Sequence, residues 1–340
     1  MSGLQILASP DNIAQLPRAL ERLLLGRAFR GFSNYAALPR LTFLSIADEV
    51  SASVDVPYED LPPTLTHLMS SFTRESQLKK LPGSLLELRI SSRRENTIPF
   101  LGPNALAKLP RSITALSITL TSFTSRESLL GMPAIKKFTL IPRPCNTPLG
   151  VDPLLMQLLP TSIEYLKLSP FEKLAPLNVW VRDLHRFDKL HSLWLRPHSH
   201  PPDPTLFNHE VLVGLPTTLT KLHILTGPNW ATNLDLFDHL PPGLLDLRVC
   251  PMYYQTEPKP FETQHLTKLP HSLTNLSVEP TTLISGEFFR TAPPHLASLH
   301  LDATAPDFAE AKRAYYQQPQ WEGCPPVALP EPGVVGGGGN

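Results

Sequence analysis

Hydrophobic and polar positions alternate in short bursts along this chain, and a leucine-proline pair precedes nearly every burst. The phrase reads LPGSLLELRI at Leu81, LPRSITALSI at Leu109, LPTSIEYLKL at Leu159, LPTTLTKLHI at Leu215, LPPGLLDLRV at Leu240 and LPHSLTNLSV at Leu269. In LTKLHI, Leu219, Leu222 and Ile224 point inward while Lys221 and His223 alternate outward, the period-two geometry of a short strand with one buried face. Such a strand is unstable alone. Stacked in a parallel sheet it pairs its backbone on both sides, and its aliphatic side chains join one continuous core. Before each leucine-proline pair lies a helix-like stretch. DPLLMQLLP at residues 152–160 is the clearest, with Asp152 as N-cap and Pro153 at the first helical position. GPNALAKLP, NHEVLVGLP, TNLDLFDHLP and ETQHLTKLP follow the same plan.

Proline removes a backbone donor and disfavours the helical region for the residue before it, so the pair ends the helix while its leucine still packs inward. The hydroxyl residue two positions on, as in Ser84, Ser112, Ser162, Thr218 and Ser272, is expected to bond nearby backbone and shape the turn into the strand. From Pro17 to Pro293 the phrase occurs twelve times at spacings of 20 to 29 residues, with Asp188 in the proline slot of FDKLHSLWL. Leucine recurring in fixed register with proline excludes a proline-rich disordered chain.

A period of about 25 built on L-x-x-L-x-L resembles the leucine-rich repeat family over roughly residues 10–302. The LPxSLxxLxL form is similar to the variant of amoebal FNIP-type repeats and of some plant and effector proteins. The resemblance implies an α/β fold: a leucine-rich-repeat solenoid shaped as a curved horseshoe of about twelve coils. Its parallel β-sheet would line the concave face, with short helices and irregular segments on the convex face. The chain departs from the commonest pattern in one slot. The family usually carries there an Asn or Cys that ties adjacent coils together; this chain has Arg93, Thr121, Phe171, Gly227, Met252 and Thr281.

Terminal coils of a solenoid must cover the open ends of its core. Residues 1–304 are assigned to the solenoid, with an N-terminal capping coil entered at Ser9 and Pro10 and a first strand in LERLLL. Residues 305–322, from Pro306 onward, read as an amphipathic capping helix, and residues 323–340 as a disordered Pro/Gly-rich tail.

Composition narrows the function classes. The 340 residues are 41% hydrophobic and 18% charged, as in a soluble folded protein, and 30 basic residues balance 30 acidic ones. No global field therefore attracts nucleic acid or an anionic membrane. Cys145, Cys250 and Cys324 are too scattered for a zinc set and odd in number for a disulfide framework, which points to a reducing compartment. With neither a signal peptide nor a membrane span in the sequence, a cytoplasmic location is expected. No phosphate-binding, metalloprotease or nucleophile-elbow motif occurs, so no catalytic residue, cofactor or metal is assigned. His191, His198 and His200 read as an exposed loop, and Cys250 as a half-buried structural thiol.

The repeat register sets two outward columns on the sheet. Tyr165, Lys167, Trp194, Arg196, Lys221, His223 and Arg248 fall on four successive coils as one contiguous patch. Aromatic and arginine side chains dominate interface energetics when central, so these seven are the candidate binding residues. The expected function is a monomeric, non-enzymatic scaffold that holds a protein partner on its concave face. The alternatives are a substrate-recognition subunit of a ubiquitin ligase, since IAQLPRALERLLL echoes the start of an F-box, or the recognition part of a pathogen effector. Nucleic-acid binding is disfavoured by the charge balance.

Overall fold

A computed structural model describes residues 3–6, 16–25, 35–46, 58–70, 72, 74–90, 101–119, 126–141, 155–168, 182–195, 210–226, 236–251, 261–279, 284–301 and 305–318. Its strands are β1 (Gly3–Ile6), β2 (Arg22–Leu25), β3 (Phe43–Ile46), β4 (His67–Ser70), β5 (Glu87–Ile90), β6 (Ala115–Thr119), β7 (Lys137–Ile141), β8 (Tyr165–Leu168), β9 (Ser192–Leu195), β10 (Lys221–Thr226), β11 (Asp246–Pro251), β12 (Asn275–Val278) and β13 (Ser298–Leu301). They form one 13-stranded sheet in strict chain order. The pairing of neighbours is parallel from the first strand to the last. Each repeat thus contributes one strand and lies beside its neighbours in sequence, the architecture of a solenoid.

The twelve phrases account for β2 to β13. The strand expected to be first, in LERLLL, is the second, because Gly3–Ile6 pairs with it at Gly3↔Arg22 and Ile6↔Leu25. No leucine-proline pair announces β1, so the repeat phrase does not detect it. The capping positions Ser9 and Pro10 lie outside the described residues.

Three inward residues per coil build the spine, nearly all aliphatic, with Ser70 and Phe138 as exceptions. Leu219, Leu222 and Ile224 are at most 1% exposed, as are Leu85, Leu88 and Ile90. Behind them the connecting segments add a second buried layer that includes Leu78, Leu106, Met156, Leu184, Leu212, Phe237 and Leu266. These segments are shorter and tighter than the helices expected from sequence. Ala105–Lys108, Leu236–His239 and Thr263–Leu266 are single 3₁₀ turns, while Leu155–Leu158 and Glu210–Val213 are one turn of α-helix. The expected N-cap Asp152 and Pro153 lie outside the described residues. A coil of about 25 residues that must also turn twice has room for little more than one helical turn, and 3₁₀ geometry is the usual form of so short a piece.

The leucine-proline pair works as its chemistry requires. The leucine amide closes the helical turn on the residue three before it, as from Leu81 to Leu78 at 3.5 Å and from Leu109 to Leu106 at 3.2 Å. Leu81 and Leu109 themselves are extended, with φ/ψ of −69°/140° and −66°/147°, the region a following proline imposes. The proline carbonyl then opens a second turn by accepting from the residue three ahead, as Pro216 does from Leu219 at 3.1 Å and Pro270 from Leu273 at 3.0 Å. A residue without an amide proton fits the junction, because neither turn uses its nitrogen.

The hydroxyl residue of the phrase acts differently from the expectation. It does not shape its own turn; it reaches the preceding coil. Ser84 donates to the carbonyl of Leu65 at 2.8 Å, Ser112 to Leu85 at 2.7 Å, Ser162 to Ile135 at 2.9 Å, Thr218 to Leu190 at 2.8 Å and Ser272 to Leu244 at 2.7 Å. Five residues of the strand approach repeat the motif: Thr42, Thr66, Thr114, Thr220 and Thr274 donate to the Glu21, Thr42, Leu86, His191 and Leu245 carbonyls. Among the described residues, Ser and Thr therefore tether coil to coil. The six residues that occupy the Asn/Cys slot lie outside the described residues.

At the C-terminal end a helix, Phe308–Tyr316, covers the last coils. Phe308 and Tyr315 are 5% and 4% exposed and join the core. The Phe289 ring stands 5.0 Å from Phe308 and 5.3 Å from Tyr315, and the Tyr315 hydroxyl donates to the Pro293 carbonyl. Residues 323–340 lie outside the described residues. Among the described residues no helix is long and apolar enough to cross a membrane.

Candidate functional site

Because the strands are in register, side chains that alternate outward line up as columns across the sheet. One column runs Lys137, Tyr165, Ser192, Lys221 and Asp246 over β7 to β11. The other runs Thr139, Lys167, Trp194, His223 and Arg248 over the same strands. Six of the seven candidate residues thus fall on four adjacent strands, about 4.8 Å apart. Arg196 lies outside the described residues, as do His198 and His200.

Lys167, Trp194, His223 and Arg248 form a continuous row. The Lys167 ammonium sits 4.9 Å from the centre of the Trp194 ring, a cation–π contact worth about 0.5–1 kcal/mol at a site of this exposure. The Trp194 and His223 rings lie 4.1 Å apart, tilted by 55°. Arg248 Nε donates to Asp246 Oδ1 at 3.4 Å while its side chain stays 56% exposed. His223 is the member that fits least well with its own fold. Both ring nitrogens are closed off from solvent and neither has a hydrogen-bond partner. Burial, then the cationic Arg248 and Lys167, hold its pKa below the ordinary histidine value, against a weaker opposing pull from Asp246. His223 is therefore neutral at pH 7, and one nitrogen is an acceptor with nothing to accept.

Tyr165 flanks the row, half-buried, with its phenol pushed up by desolvation. Ser192 separates it from Lys221 and is only 9% exposed. Lys137 and Lys221 are exposed. Glu164, one position before Tyr165, is engaged by Lys136 at 3.0 Å, and that contact holds its carboxyl below the usual carboxylate range. Cys250 follows Arg248 on β11, half-buried, and burial together with the Glu279 carboxylate raises its thiol pKa. A raised pKa keeps it in the unreactive thiol form at neutral pH.

The same face holds a second row that the sequence reading did not single out. Arg22, Phe43, His67 and Glu87 stand in one column over β2 to β5. Arg22 lies 4.5 Å over the Phe43 ring, and Phe43 and His67 are 6.2 Å apart. His67 Nε2 is 3.9 Å from Glu87 Oε2, while its Nδ1 is 2.8 Å from the Thr66 hydroxyl. Both rows follow one order: cation, aromatic, histidine, charge. The columns derived from the repeat already contained this row, and reading along a column rather than for a cluster of aromatic and basic residues was the signal that would have exposed it.

No family model matches the chain, and no curated protein matches it. Solved structures do align with it. The leucine-rich repeat-containing protein LegL7 from Legionella pneumophila is 15% identical over 96% of this chain and 99% of its own, with a TM-score of 0.48. An internalin, inlF, from Listeria monocytogenes is 15% identical over 86% of this chain and 83% of its own, at 0.47. The circular leucine-rich-repeat protein CroV588 is 16% identical over 86% of this chain, which spans 47% of that protein, at 0.44. The chain's own thirteen parallel strands in sequential order, twelve of them within the recurring L-x-x-L-x-L pattern, make its fold a leucine-rich-repeat solenoid.

Proposed function

We propose that this protein is a non-enzymatic scaffold that binds a protein partner on the outward face of its sheet, the concave face of the solenoid, centred on Trp194. The observation that carries the reading is the Lys167–Trp194–His223–Arg248 row, which concentrates an aromatic anchor and cations at the middle of a rigid surface. Interfaces draw most of their energy from such central aromatic and arginine side chains. A sheet held by backbone pairing and hydroxyl tethers presents them without a large ordering cost on binding. Tyr165 and Lys221 extend the surface on one side.

Affinity purification from the native cell, with mass spectrometry, tests this. Wild-type protein and a Trp194→Ala/Arg248→Ala double variant are compared side by side. The expected result is loss of the main co-purifying proteins from the variant with its urea midpoint unchanged. Equal capture by both proteins refutes the reading. The identity of the captured proteins separates the free scaffold from the ligase subunit, whose signature is a Skp1-like or cullin partner.

A further inference from the structure

We propose that residues 324–329, CPPVAL, dock along the free edge of β13 as the strand of one further coil and close the C-terminal end of the spine with Cys324, Val327 and Leu329 turned inward. The last strand is unfinished. From β2 to β12 both inward residues of every strand are buried, whereas Leu299 and Leu301 of β13 are partly exposed. In the sheet β13 pairs with β12 alone, so among the described residues its outer edge has no partner. The closing helix packs through Phe308 and Tyr315 on Phe289, in the layer behind the sheet, and leaves both leucines in partial contact with solvent. At the other end β1 lies beside β2, and Leu23 and Leu25 are at most 3% exposed. An open solenoid end that combines apolar side chains with unpaired backbone is a template for another strand.

The chain after this helix carries a piece that fits. Cys324, Val327 and Leu329 repeat the L-x-x-L-x-L spacing of Leu219, Leu222 and Ile224. Each stands 28 residues after its counterpart in the last coil, Leu296, Leu299 and Leu301, inside the 20 to 29 residue range of the repeat. Gln320 and Trp321 occupy the leucine-proline slots. The phrase therefore passes over this coil as it passes over β1, and the Pro/Gly-rich composition of residues 323–340 conceals it. Reach is sufficient: the helix ends at Tyr316, eight residues before Cys324, where the turns that end at Leu158 and Val213 need five and six to arrive at Ile163 and Leu219. Attachment to the same chain also gives the segment an effective concentration on the order of millimolar, well above that of a free partner. Its prolines set the strength of the joint. In other coils the residues at the places of Pro325 and Pro326 both donate to one carbonyl of the coil before. Thr220 and Lys221 donate to His191 at 3.0 and 2.9 Å, and Thr274 and Asn275 to Leu245 at 2.9 Å each. Proline has no amide proton, so this joint lacks both bonds and holds more weakly than the others. Pro330 then ends the strand, and with Pro326 it leaves an outer edge poor in donors, which resists extension by a further strand.

Cys324 reports the docked state, because a thiol in the first inward slot is shielded as its counterpart Leu296 is, at 0% exposed. In the full chain carrying Cys145→Ser and Cys250→Ser, its reaction with an aromatic disulfide reagent is compared with that of the free peptide QWEGCPPVALPEP. The expected rate is about tenfold below the peptide's, the mark of a segment docked roughly nine-tenths of the time. Leu329→Asp should restore the peptide's rate, and Val335→Asp, beyond the strand, should leave the slow rate unchanged. Hydrogen exchange read by mass spectrometry needs neither cysteine change: removing residues 324–340 from the otherwise unaltered protein should speed exchange across Ser298–Leu301 about tenfold. A peptide-like rate for Cys324, equal rates in Leu329→Asp and the parent, or β13 exchange that is the same with and without residues 324–340 each overturns the proposal. Sedimentation identifies the occupant of the edge. The full chain should be a monomer; a dimer that Leu301→Asp dissociates would place a second copy on β13 and overturn the proposal as well.

Discussion

Substituting Ser112 by alanine isolates the tether between coils. Its hydroxyl donates to the Leu85 carbonyl at 2.7 Å in a half-buried setting, and no other described hydrogen bond reaches that carbonyl. The substitution removes one oxygen, leaves no sizeable cavity and lies on the approach to a strand, so the backbone is undisturbed. A hydrogen bond of this kind contributes about 1 kcal/mol net, and stranding a partly buried acceptor raises the loss to about 1–2 kcal/mol. With a urea m-value of about 3 kcal/mol/M for a chain of this size, the unfolding midpoint should fall by about 0.3–0.7 M. Ser117→Ala is the matched control: the same change five residues on, at an outward position of β6 where the hydroxyl makes no described hydrogen bond. Its midpoint should stay within about 0.1 M of wild type. Urea titration followed by far-ultraviolet circular dichroism reads both. Equal midpoints for Ser112→Ala and Ser117→Ala would show that the hydroxyls are ornaments of the turn rather than ties between coils.

Two adjacent tyrosines should respond oppositely to loss of the hydroxyl. Tyr58 shares a 2.8 Å hydrogen bond with the fully buried Ser70, so Tyr58→Phe should cost about 1–2 kcal/mol; Tyr35→Phe removes a buried hydroxyl without a partner and should be neutral or stabilising in the same urea assay. Leu222→Ala, at a position 1% exposed, should cost about 2–5 kcal/mol in thermal or urea unfolding, and a smaller loss would show that the spine yields around the cavity. His223 sets a pH dependence: because its folded pKa is depressed by burial and by Arg248 and Lys167, the unfolded chain takes up a proton first, so its share of stability is full above about pH 6.5 and is lost as pH falls. The wild-type urea midpoint should therefore drop more steeply below that pH than the midpoint of His223→Phe, and parallel curves would contradict the assignment.

Strand positions were legible because the aliphatic register recurs in every phrase, with proline setting its phase in all but the one that carries Asp188. Once Leu-Pro ends one turn and opens the next, the alternation in LTKLHI or LLELRI has a single register, and a slip of one residue would expose all three spine residues. That is why the columns through Trp194 and Phe43 follow from the letters alone. Three features did not. The helices expected before Leu109 and Leu240 are 3₁₀ turns, since apolar spacing over four residues does not distinguish the two geometries. The bond from Ser112 to Leu85 spans 27 residues, and local turn chemistry contains no information about a partner one coil away. β1 escaped because it carries the strand pattern without the preceding phrase. In the candidate site, proximity was readable from register, but the unpartnered nitrogens of His223 and the contrast with His67 needed side-chain geometry.

The tethers formed by Ser84, Ser112, Ser162, Thr218 and Ser272 each reach exactly one coil back and no further. These joints are therefore copies of one another, while Ala19, Gly243 and His295 hold the same slot in other coils and supply no hydroxyl. Excising a stretch between two hydroxyl-bearing phrases brings a hydroxyl up to a carbonyl of the kind it already bonds, and duplicating such a stretch does the same. Genes for this chain can lengthen or shorten by whole coils at little structural cost, and the distance between the two cation–aromatic rows is the quantity that such changes would reset.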